Sequence, residues 1–380
     1  MLTVGIPREI KSFEKRVALT PLGVEKLCRQ GIPVCVEKDA GKQSCFEDGS
    51  YVQAGACIVQ NAAEVYKASD LIQKVKEPQA SEYALLKNKI IFSFLHLASQ
   101  DNCELVKALQ ECHVTAIAYE TVNVDGKVPI LAPMSEIAGG LAAAYGALFL
   151  RVLSSQKGSV PENLLKQMED VALQYPNPPN GFTGGSFLIF GGGTAGQKAA
   201  EMAFALQGTV TLIEKDAAAR ELLKQKWEQQ PSFKVFDCED DYIQELHQAD
   251  ILIGCVHQTG HRAQQVMEIE LMRAISAYKK KIIMDVAVDQ GGNFPETHAT
   301  PYGDPIYRDS CGNWRFAVAN MPSFCGRQAS EALTQVTWPY TLAMAQDLEA
   351  GFKRFPELRR AVNLQKGLIV LDSVREAHQP

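Results

Sequence analysis

The stretch from Ser186 to Asp216, SFLIFGGGTAGQKAAEMAFALQGTVTLIEKD, decides the fold of this chain. Phe187 to Phe190 is a short apolar run, which predicts a buried parallel strand. A glycine-rich turn and a helix of small residues follow, and the β-branched run from Thr209 to Ile213 predicts a second strand. This order of strand, glycine turn, helix and strand predicts a βαβ unit.

Gly191, Gly193 and Gly196 have the spacing G-x-G-x-x-G. The first permits a tight turn, the second lets backbone approach a pyrophosphate, and the third lets the helix pack closely on the strand. The helix N-terminus offers N–H groups and a positive dipole end to phosphate. Glu214 lies about 20 residues on, where a carboxylate binds the adenosine ribose and repels a 2′-phosphate. The pattern predicts NAD binding in preference to NADP, and a glycine turn without ligand is the alternative.

The composition restricts the class of protein. The chain has 380 residues, enough for two domains, and a net charge of −6, which argues against nucleic acid or an anionic membrane as main partner. We expect no membrane span, and the start MLTVGIPREIK reads as a first strand rather than a signal peptide. The ten cysteines form no C-x-x-C pair. Cys35, Cys57 and Cys255 lie in apolar runs that predict buried thiols, so we expect a reduced, cytoplasmic protein.

The amino-terminal part also alternates strands and helices. Its predicted strands are Leu2–Ile6, Val34–Glu37, Leu71–Val75, Ile90–Phe94 and Thr115–Tyr119. Thr20-Pro21 predicts a helix start, and Gly31 its end. We therefore expect an α/β fold with two Rossmann-like doubly wound domains joined by long helices.

The predicted domains are residues 1–132 plus 304–380, which bind substrate, and residues 133–303, which bind NAD. A long helix rich in small residues, MSEIAGGLAAAYGALFLRVL, follows Pro133 and suits a connector. Residues 154–185 are rich in Ser, Gly, Pro and Asn and predict an excursion with helical turns at Glu162–Ala172.

Polar residues follow several predicted strands, where ligands bind in open parallel sheets. Arg16 can clamp a carboxylate, and Lys76 can bind a carbonyl or carboxylate oxygen. His96 is a candidate for proton transfer, because the ordinary pKa of histidine lies near neutrality. Asp289 can orient a water or share the proton load. Taken singly, each has another interpretation: surface charges for Arg16 and Lys76, a core histidine for His96, and a turn cap for Asp289.

Ten short motifs, in order along the chain, resemble one family closely. They are VGIPREI, KRVALTP, KVKEP, FLHLA, AIAYETV, LAPMSEIAG, GGGTAG, DVAVDQGG, VANMP and ALT-x-x-T-x-PY. They are similar to the motifs of the alanine dehydrogenase family, whose relatives include the NAD-binding subunit of transhydrogenase and the saccharopine and carboxyethyl-ornithine enzymes.

The resemblance implies reversible oxidative deamination of L-alanine to pyruvate and ammonia with NAD, by a homohexamer and without a metal. The substrate-binding residues of the family fall on Arg16 and Lys76, and its catalytic residues on His96 and Asp289. Besides Asp289 and the glycine turn, its cofactor contacts fall on Ser135, Thr194, Ala195, Glu214, Asn320 and Met321, and on the stretch Val286 to Val288.

The chain departs from the family pattern at four places, and one of them is the excursion at 154–185, which is longer than usual in the family. Glu214 replaces the usual Asp, Gly140 stands where arginine is common, and Cys255 to Gly260 replaces a proline-glycine loop. Three alternative functions therefore stay open: an opine- or saccharopine-type NAD(P) reductase that joins an amine to a 2-keto acid, a transhydrogenase-like NAD-binding subunit, and a non-catalytic NAD-sensing scaffold.

Overall fold

The computed structural model describes residues 1–154, 184–257 and 263–378. The predicted excursion, with its helical turns at Glu162–Ala172, lies outside these ranges. The described chain divides into two compact units. One holds Met1–Met134 together with the chain from Pro322 onward, and the other holds the described residues from Ser135 to Met321. No helix of the described ranges is long and apolar enough to cross a membrane.

The first unit is built on an eight-stranded sheet. Its strands are β1 (Val4–Ile6), β2 (Val34–Glu37), β3 (Cys57–Val59), β4 (Leu71–Gln73), β5 (Ile90–Ser93), β6 (Thr115–Ala118), β14 (Val362–Gln365) and β15 (Leu368–Ile369). The first six run parallel in the order β3-β2-β1-β4-β5-β6, and β14 and β15 extend the β6 edge antiparallel. This is the doubly wound order of a Rossmann fold, in which the strand order reverses between β1 and β4.

Strands β1, β4 and β6 of this sheet are buried at every position, as expected for a parallel sheet that is covered by helices. The helices are α1 (Pro21–Cys28), α2 (Asp48–Gln53), α3 (Ala62–Ala68), α4 (Cys103–Glu111), α10 (Gly326–Gln346), α11 (Leu348–Arg354), α12 (Pro356–Arg360) and α13 (Asp372–His378). Helix α1 begins at Pro21 as predicted, although the Thr20 side chain makes no cap hydrogen bond. The long helix α5 (Ala132–Ser154) starts in this unit and continues into the second.

The second unit repeats the same winding in a seven-stranded sheet. Its strands are β7 (Ser186–Phe190), β8 (Thr209–Ile213), β9 (Phe233–Phe236), β10 (Ile251–Gly254), β11 (Ile282–Asp285), β12 (Ile306–Arg308) and β13 (Trp314–Phe316). Their order is β9-β8-β7-β10-β11-β13-β12, with only β12 antiparallel. The helices after the long α5 are α6 (Thr194–Ala205), α7 (Ala217–Lys226), α8 (Ile243–Gln248) and α9 (Ile269–Tyr278). The predicted α/β class with two Rossmann-like domains is confirmed.

Two details differ from the sequence predictions. The chain returns to the first unit at Pro322, whereas the prediction began that domain at 304. The reason is that β13 pairs with β11 and β12 folds back on β13, so both strands extend the second sheet. Cys57 is exposed rather than buried, because it begins β3 at the open edge of the first sheet. Cys35 and Cys255 are buried as predicted.

The glycine turn shows why the β7–α6 connection needs its residues. Gly191 has a φ of 95°, which favours glycine. A Cβ on Gly196 would lie 1.8 Å from the carbonyl oxygen of Gly191, so a side chain there would force helix α6 away from strand β7. A Cβ on Gly193 would meet nothing within 4 Å, so this glycine leaves one side of the turn open.

These two glycines make a matched pair of substitutions. Gly196→Ala should lower the apparent free energy of unfolding by about 2 kcal/mol or more, because the added methyl overlaps main chain. Gly193→Ala should change it by less than about 1 kcal/mol, since only the N-cap preference is lost. Urea unfolding followed by circular dichroism measures both, and equal losses would contradict this account of the turn.

Candidate active site

Three predicted site residues follow neighbouring parallel strands of the first unit. Arg16 lies in the loop after β1, Lys76 follows β4, and His96 follows β5. The Phe94 N–H donates to the carbonyl of Val75, so the ends of β4 and β5 stay in register up to these residues. The carboxyl ends of β1 and β4 flank the point where the strand order reverses, which is where open α/β sheets bind ligands.

Arg16 is buried and paired with a carboxylate that the sequence analysis did not single out. Its Nε and Nη2 donate to the two oxygens of Glu14 at 2.8 and 2.6 Å, while Nη1 lies 3.1 Å from the sulfur of Met134. Burial alone would raise the pKa of Glu14, but the charge and hydrogen bonds of Arg16, together with Lys76, lower it to about 2. Arg16 is therefore no surface charge, and one edge of its guanidinium is already occupied by Glu14.

Lys76 is also buried, at 5 % exposure, and lies among carboxylates. Its charge helps to lower the pKa of Glu14, as described above. Its neighbour in the chain, Glu77, pairs with Lys11. Burial tends to raise the pKa of Glu77, and the charges of Lys76 and Lys11 outweigh it, so that the pKa falls below its usual range. Positive charge thus collects in the loops after β1 and β4, and the interpretation of Lys76 as a surface charge does not hold.

A buried cluster of charges fixes the backbone beside Lys76. The Lys74 ammonium lies 3.3 Å from Glu9 and 3.2 Å from Glu82, and all three side chains are nearly inaccessible. The other oxygen of Glu9 accepts the Val75 N–H at 2.6 Å, and Tyr66 donates to Glu82 at 2.9 Å. Burial raises the pKa of Glu9 to about 7, against the opposing effect of Lys74. This cluster ties the loop after β1 to the loop after β4.

His96 lies at a backbone position that few non-glycine residues adopt, with a φ of 48°. Its N–H donates to the Glu120 carboxylate at 2.6 Å, and its carbonyl accepts from the Asn102 amide at 2.9 Å. The imidazole is partly exposed and lies parallel to the Phe94 ring, with the ring centres 6.1 Å apart. The side chain is therefore not a fully buried core histidine.

In the second unit, helix α6 directly follows the glycine turn. Gly193 and Thr194 are exposed, Ala195 is partly buried, and Gly196 is buried. Twelve residues of helix begin at Thr194. This surface, with no side chain on Gly193, fits the pyrophosphate of a dinucleotide.

Glu214 lies at the end of β8, as a ribose-binding carboxylate should. One of its oxygens accepts the Gly192 N–H at 2.7 Å, and the other accepts the Asp216 N–H at 2.9 Å. Each carboxylate oxygen has room for a second hydrogen bond. The longer Glu side chain, in place of the usual Asp, thus reaches back to the glycine turn while its carboxylate stays partly exposed.

The loops after β10 and β11 are tied together, and Asp289 lies in the second of them. Asn293, which is fully buried, bonds to both the N–H and the carbonyl of Val256, at 3.0 and 2.9 Å. The amide nitrogen of Gln290 lies 2.9 Å from Nε2 of His257. Asp285 accepts hydrogen bonds from the Asn293 N–H and three other groups of its own loop. The loop from Cys255 to Gly260, which departs from the family pattern, is described up to His257, and this part ends beside the turn that contains Asp289. Residues 258–260 of the loop lie outside the described ranges.

The remaining predicted cofactor residues are also in this unit. Ser135 is partly exposed in the first turn of α5, and Val286 donates its N–H to the carbonyl of Gly254. Asn320 has a φ of 67°, and its carbonyl accepts from the Tyr302 hydroxyl. Met321 is 3 % exposed and belongs to the core of this unit.

The structure thus brings Arg16, Lys76 and His96 to neighbouring strand ends of the first unit, and the glycine turn, Glu214 and Asp289 to strand ends of the second. Sequence reasoning missed Glu14 and the Glu9–Lys74–Glu82 cluster. A signal for Glu14 was present, since an acid two residues before a candidate arginine is close enough to pair with it. No group of three or more metal-ligating side chains occurs in the described ranges.

Comparisons with known proteins define the class. Residues 5–138 match the family model "Alanine dehydrogenase/PNT, N-terminal domain", and residues 178–372 match "Alanine dehydrogenase/PNT, C-terminal domain". The fold and its glycine turn are those of a two-domain dinucleotide-binding α/β protein. The chain belongs to the alanine dehydrogenase/PNT family, as the sequence motifs predicted.

Individual relatives cover the chain from end to end. It is 36% identical to "Alanine dehydrogenase 2" of Staphylococcus aureus, over all of this chain and 97% of the relative. It is 34% identical to "Alanine dehydrogenase" of Methanococcus maripaludis, over 99% of this chain and 96% of the relative. A solved structure of an L-alanine dehydrogenase aligns with a TM-score of 0.85 at 32% identity, covering 99% of this chain and 98% of that chain. A transhydrogenase from Sinorhizobium meliloti, 21% identical, aligns with a TM-score of 0.75 and shares the fold, over 97% of this chain and 99% of that chain.

The buried cluster predicts how stability depends on pH. The pKa of Glu9 is higher in the folded state, about 7, than in the unfolded chain. Folding therefore takes up a proton, and the contribution of Glu9 to stability, complete below the unfolded pKa, is lost as pH rises through about 7. Glu9→Gln removes this loss and still offers an oxygen to the Val75 N–H. We expect the variant to gain on the order of 3 kcal/mol relative to wild type between about pH 4.5 and pH 7.

Urea unfolding at several pH values measures this difference. Only its slope with pH matters, because the new amide also changes the contact with Lys74 by an amount that does not depend on pH. Glu104→Gln, at an exposed helix position, is the control and should run parallel to wild type. A Glu9→Gln curve parallel to wild type would show that Glu9 is ionised in the folded protein at all these pH values.

Proposed function

We propose that this protein catalyses the reversible oxidative deamination of L-alanine with NAD. L-alanine, NAD⁺ and water give pyruvate, ammonium, NADH and a proton. The observation that carries the proposal is the pair of buried cations, Arg16 and Lys76, beside the point where the strand order of the first sheet reverses. A 2-oxo acid has a carboxylate and a neighbouring oxygen, which match an arginine fork and a lysine point charge.

Arg16 binds the substrate carboxylate in this proposal. Glu14 accepts hydrogen bonds from Nε and Nη2, and these contacts hold the guanidinium in place. The low pKa of Glu14, about 2, keeps it ionised at every working pH. The arginine is therefore held in one orientation before substrate arrives, and less free energy is spent on ordering it during binding.

Lys76 and His96 perform the remaining steps on the substrate in the first unit. His96 takes a proton from the substrate ammonium, so that the amine is neutral when hydride leaves the α-carbon. Bound NAD supplies the hydride acceptor. His96 releases this first proton to solvent, and it takes a second proton from the water that adds to the imine carbon. It returns the second proton to the nitrogen, which leaves as ammonia and takes up the hydroxyl proton to become ammonium. Lys76 stabilises the oxygen as that proton departs and the carbonyl of pyruvate forms. Asp289, in the second unit, is a further proposed catalytic residue, which would orient a water or share the proton load.

The second unit holds the cofactor. The proposed contacts are the glycine turn with Thr194 and Ala195 for the pyrophosphate, and Glu214 for the adenosine ribose. Ser135, Val286, Asn320 and Met321 are further proposed contacts. The open face at Gly193 supports this proposal, since no side chain stands in the way of a phosphate.

The family relationship also leads us to propose a homohexamer located in the cytoplasm. All ten cysteines are free, four of them exposed, as expected in a reducing compartment. Sedimentation equilibrium measures the mass of the assembly, and a monomer would contradict the proposed state.

The test of the function is NADH formation with a panel of L-amino acids, together with NADH consumption when pyruvate is mixed with ammonia or with larger amines. The proposal expects L-alanine and ammonia to be the best substrates of their groups. Preference for a larger amine would favour the opine- or saccharopine-type reductase. Binding of NAD without turnover of any amino acid would favour a binding subunit or an NAD-sensing scaffold.

Cofactor choice should depend on the charge of Glu214. Wild type should prefer NAD over NADP by at least about tenfold in kcat/KM, or about 1.4 kcal/mol. Glu214→Gln keeps an oxygen for the Gly192 N–H and removes the charge, so it should lose most of that preference. Glu221→Gln, on the exposed face of α7, is the control and should keep it. Equal use of both cofactors by wild type would remove Glu214 from cofactor selection.

A further inference from the structure

The backbone at His96 is held in a costly conformation. A φ of 48° is rare for a residue with a side chain, and positions of this kind persist only where surrounding groups impose them. His96 directly follows the buried segment Phe94–Leu95 and precedes a loop. The groups that impose its conformation therefore act on the site through His96.

Glu120 holds the main chain of His96 from the neighbouring strand. Strands β5 and β6 pair in parallel up to Ser93 and Ala118, and Glu120 follows β6 by two residues. One of its oxygens accepts the His96 N–H at 2.6 Å, and the Leu95 N–H lies 3.2 and 3.3 Å from the two oxygens. The side chain is 8 % exposed. A buried carboxylate thus receives two consecutive N–H groups at the point where the chain turns.

Tyr119, the residue before Glu120, supports the ring of His96 indirectly. The His96 ring lies parallel to that of Phe94, and Phe94 meets the Tyr119 ring edge to face with the ring centres 5.0 Å apart. The Tyr119 hydroxyl accepts from the Gln73 amide at 2.9 Å, and the Gln73 oxygen accepts from Thr341 at 2.8 Å. Two adjacent residues after β6 therefore constrain both the backbone and the ring of one histidine.

We propose that Glu120 is a positioning residue for His96, and that its carboxylate sets the left-handed turn which directs the imidazole to the substrate. This inference rests on the proposed function, in which His96 moves the protons. Catalysis by a general base depends steeply on its placement, because a shift of about 1 Å can cost about a hundredfold in rate. Loss of the two N–H contacts frees the chain to leave the rare φ region, and the imidazole moves with it.

A double-mutant cycle between Glu120 and His96 separates positioning from a general structural role. Glu120→Ala should lower kcat for L-alanine by about 10- to 100-fold, with the Kd for NADH within about twofold of wild type. His96→Ala should lower kcat by about a hundredfold or more. In the His96→Ala background, adding Glu120→Ala should lower kcat by less than about twofold, because a missing imidazole cannot be misplaced. Losses that multiply in full would overturn the proposal.

Two further variants keep the test decisive. Glu120→Gln retains one oxygen for the His96 N–H and should keep more activity than Glu120→Ala. It carries the same cycle if the alanine variant does not fold. Glu104→Ala removes an exposed glutamate of α4 and should match wild type in every measurement. Wild-type kcat in Glu120→Ala would also overturn the proposal.

The imidazole signals in the NMR spectrum give a readout that does not require activity. The His96 ring signal, identified by its absence from His96→Ala, should shift in Glu120→Ala and stay in place in Glu104→Ala. If wild type fails to oxidise L-alanine, the proposed function is wrong, and the shift still reports whether Glu120 holds the ring. If wild type is active and the His96 signal does not move in Glu120→Ala, only the positioning role is wrong.

Discussion

Two positive charges buried in the first unit constrain the rest of its structure. Arg16 is 2 % exposed and Lys76 is 5 % exposed, and an unpaired ion in such surroundings costs several kcal/mol. Glu14 compensates Arg16 through two hydrogen bonds, and Glu77, held by Lys11, lies next to Lys76 in the chain. The loops after β1 and β4 can hold buried cations because carboxylates from the same loops accompany them.

The buried cluster of Glu9, Lys74 and Glu82 also pairs a cation with carboxylates. Glu9 and Glu82 come from either side of β4 in the sequence and meet at Lys74. Two acids and one base leave an excess of negative charge, and the raised pKa of Glu9 means that a proton neutralises it below about pH 7. Glu9 also accepts the Val75 N–H, so the cluster fixes the backbone that carries Lys76. The same cluster of Glu9, Lys74 and Glu82 therefore balances buried charge and fixes the position of the proposed substrate site.

Features that depend on neighbouring residues could be predicted from the sequence. The roles of Gly191, Gly193 and Gly196 follow from spacing alone, and the structure shows a tight turn, an open face and a close helix contact at these positions. The alternation of apolar runs and helical stretches was enough to predict the α/β class.

Features that depend on distant residues could not be predicted in the same way. Glu120 meets His96 across two paired strands, 24 positions apart in the sequence, and Asn293 meets Val256 across 37. Neither pair has a local pattern, since each forms only once the sheet has brought the strand ends together. The edge position of β3, which exposes Cys57, is likewise set by strand order and not by its own residues.

Binding of pyruvate to Lys76→Met in the presence of saturating NADH tests the central claim most directly, by calorimetry. A substitution of Arg16 is less informative, because it would leave the fully buried Glu14 without its partner. Removing Lys76 leaves Glu14 with Arg16 and Glu77 with Lys11. If the buried cations form the substrate site, pyruvate should bind at least about 30-fold more weakly, or about 2 kcal/mol, while NADH binding stays within about twofold of wild type. Pyruvate affinity equal to that of wild type would contradict the account.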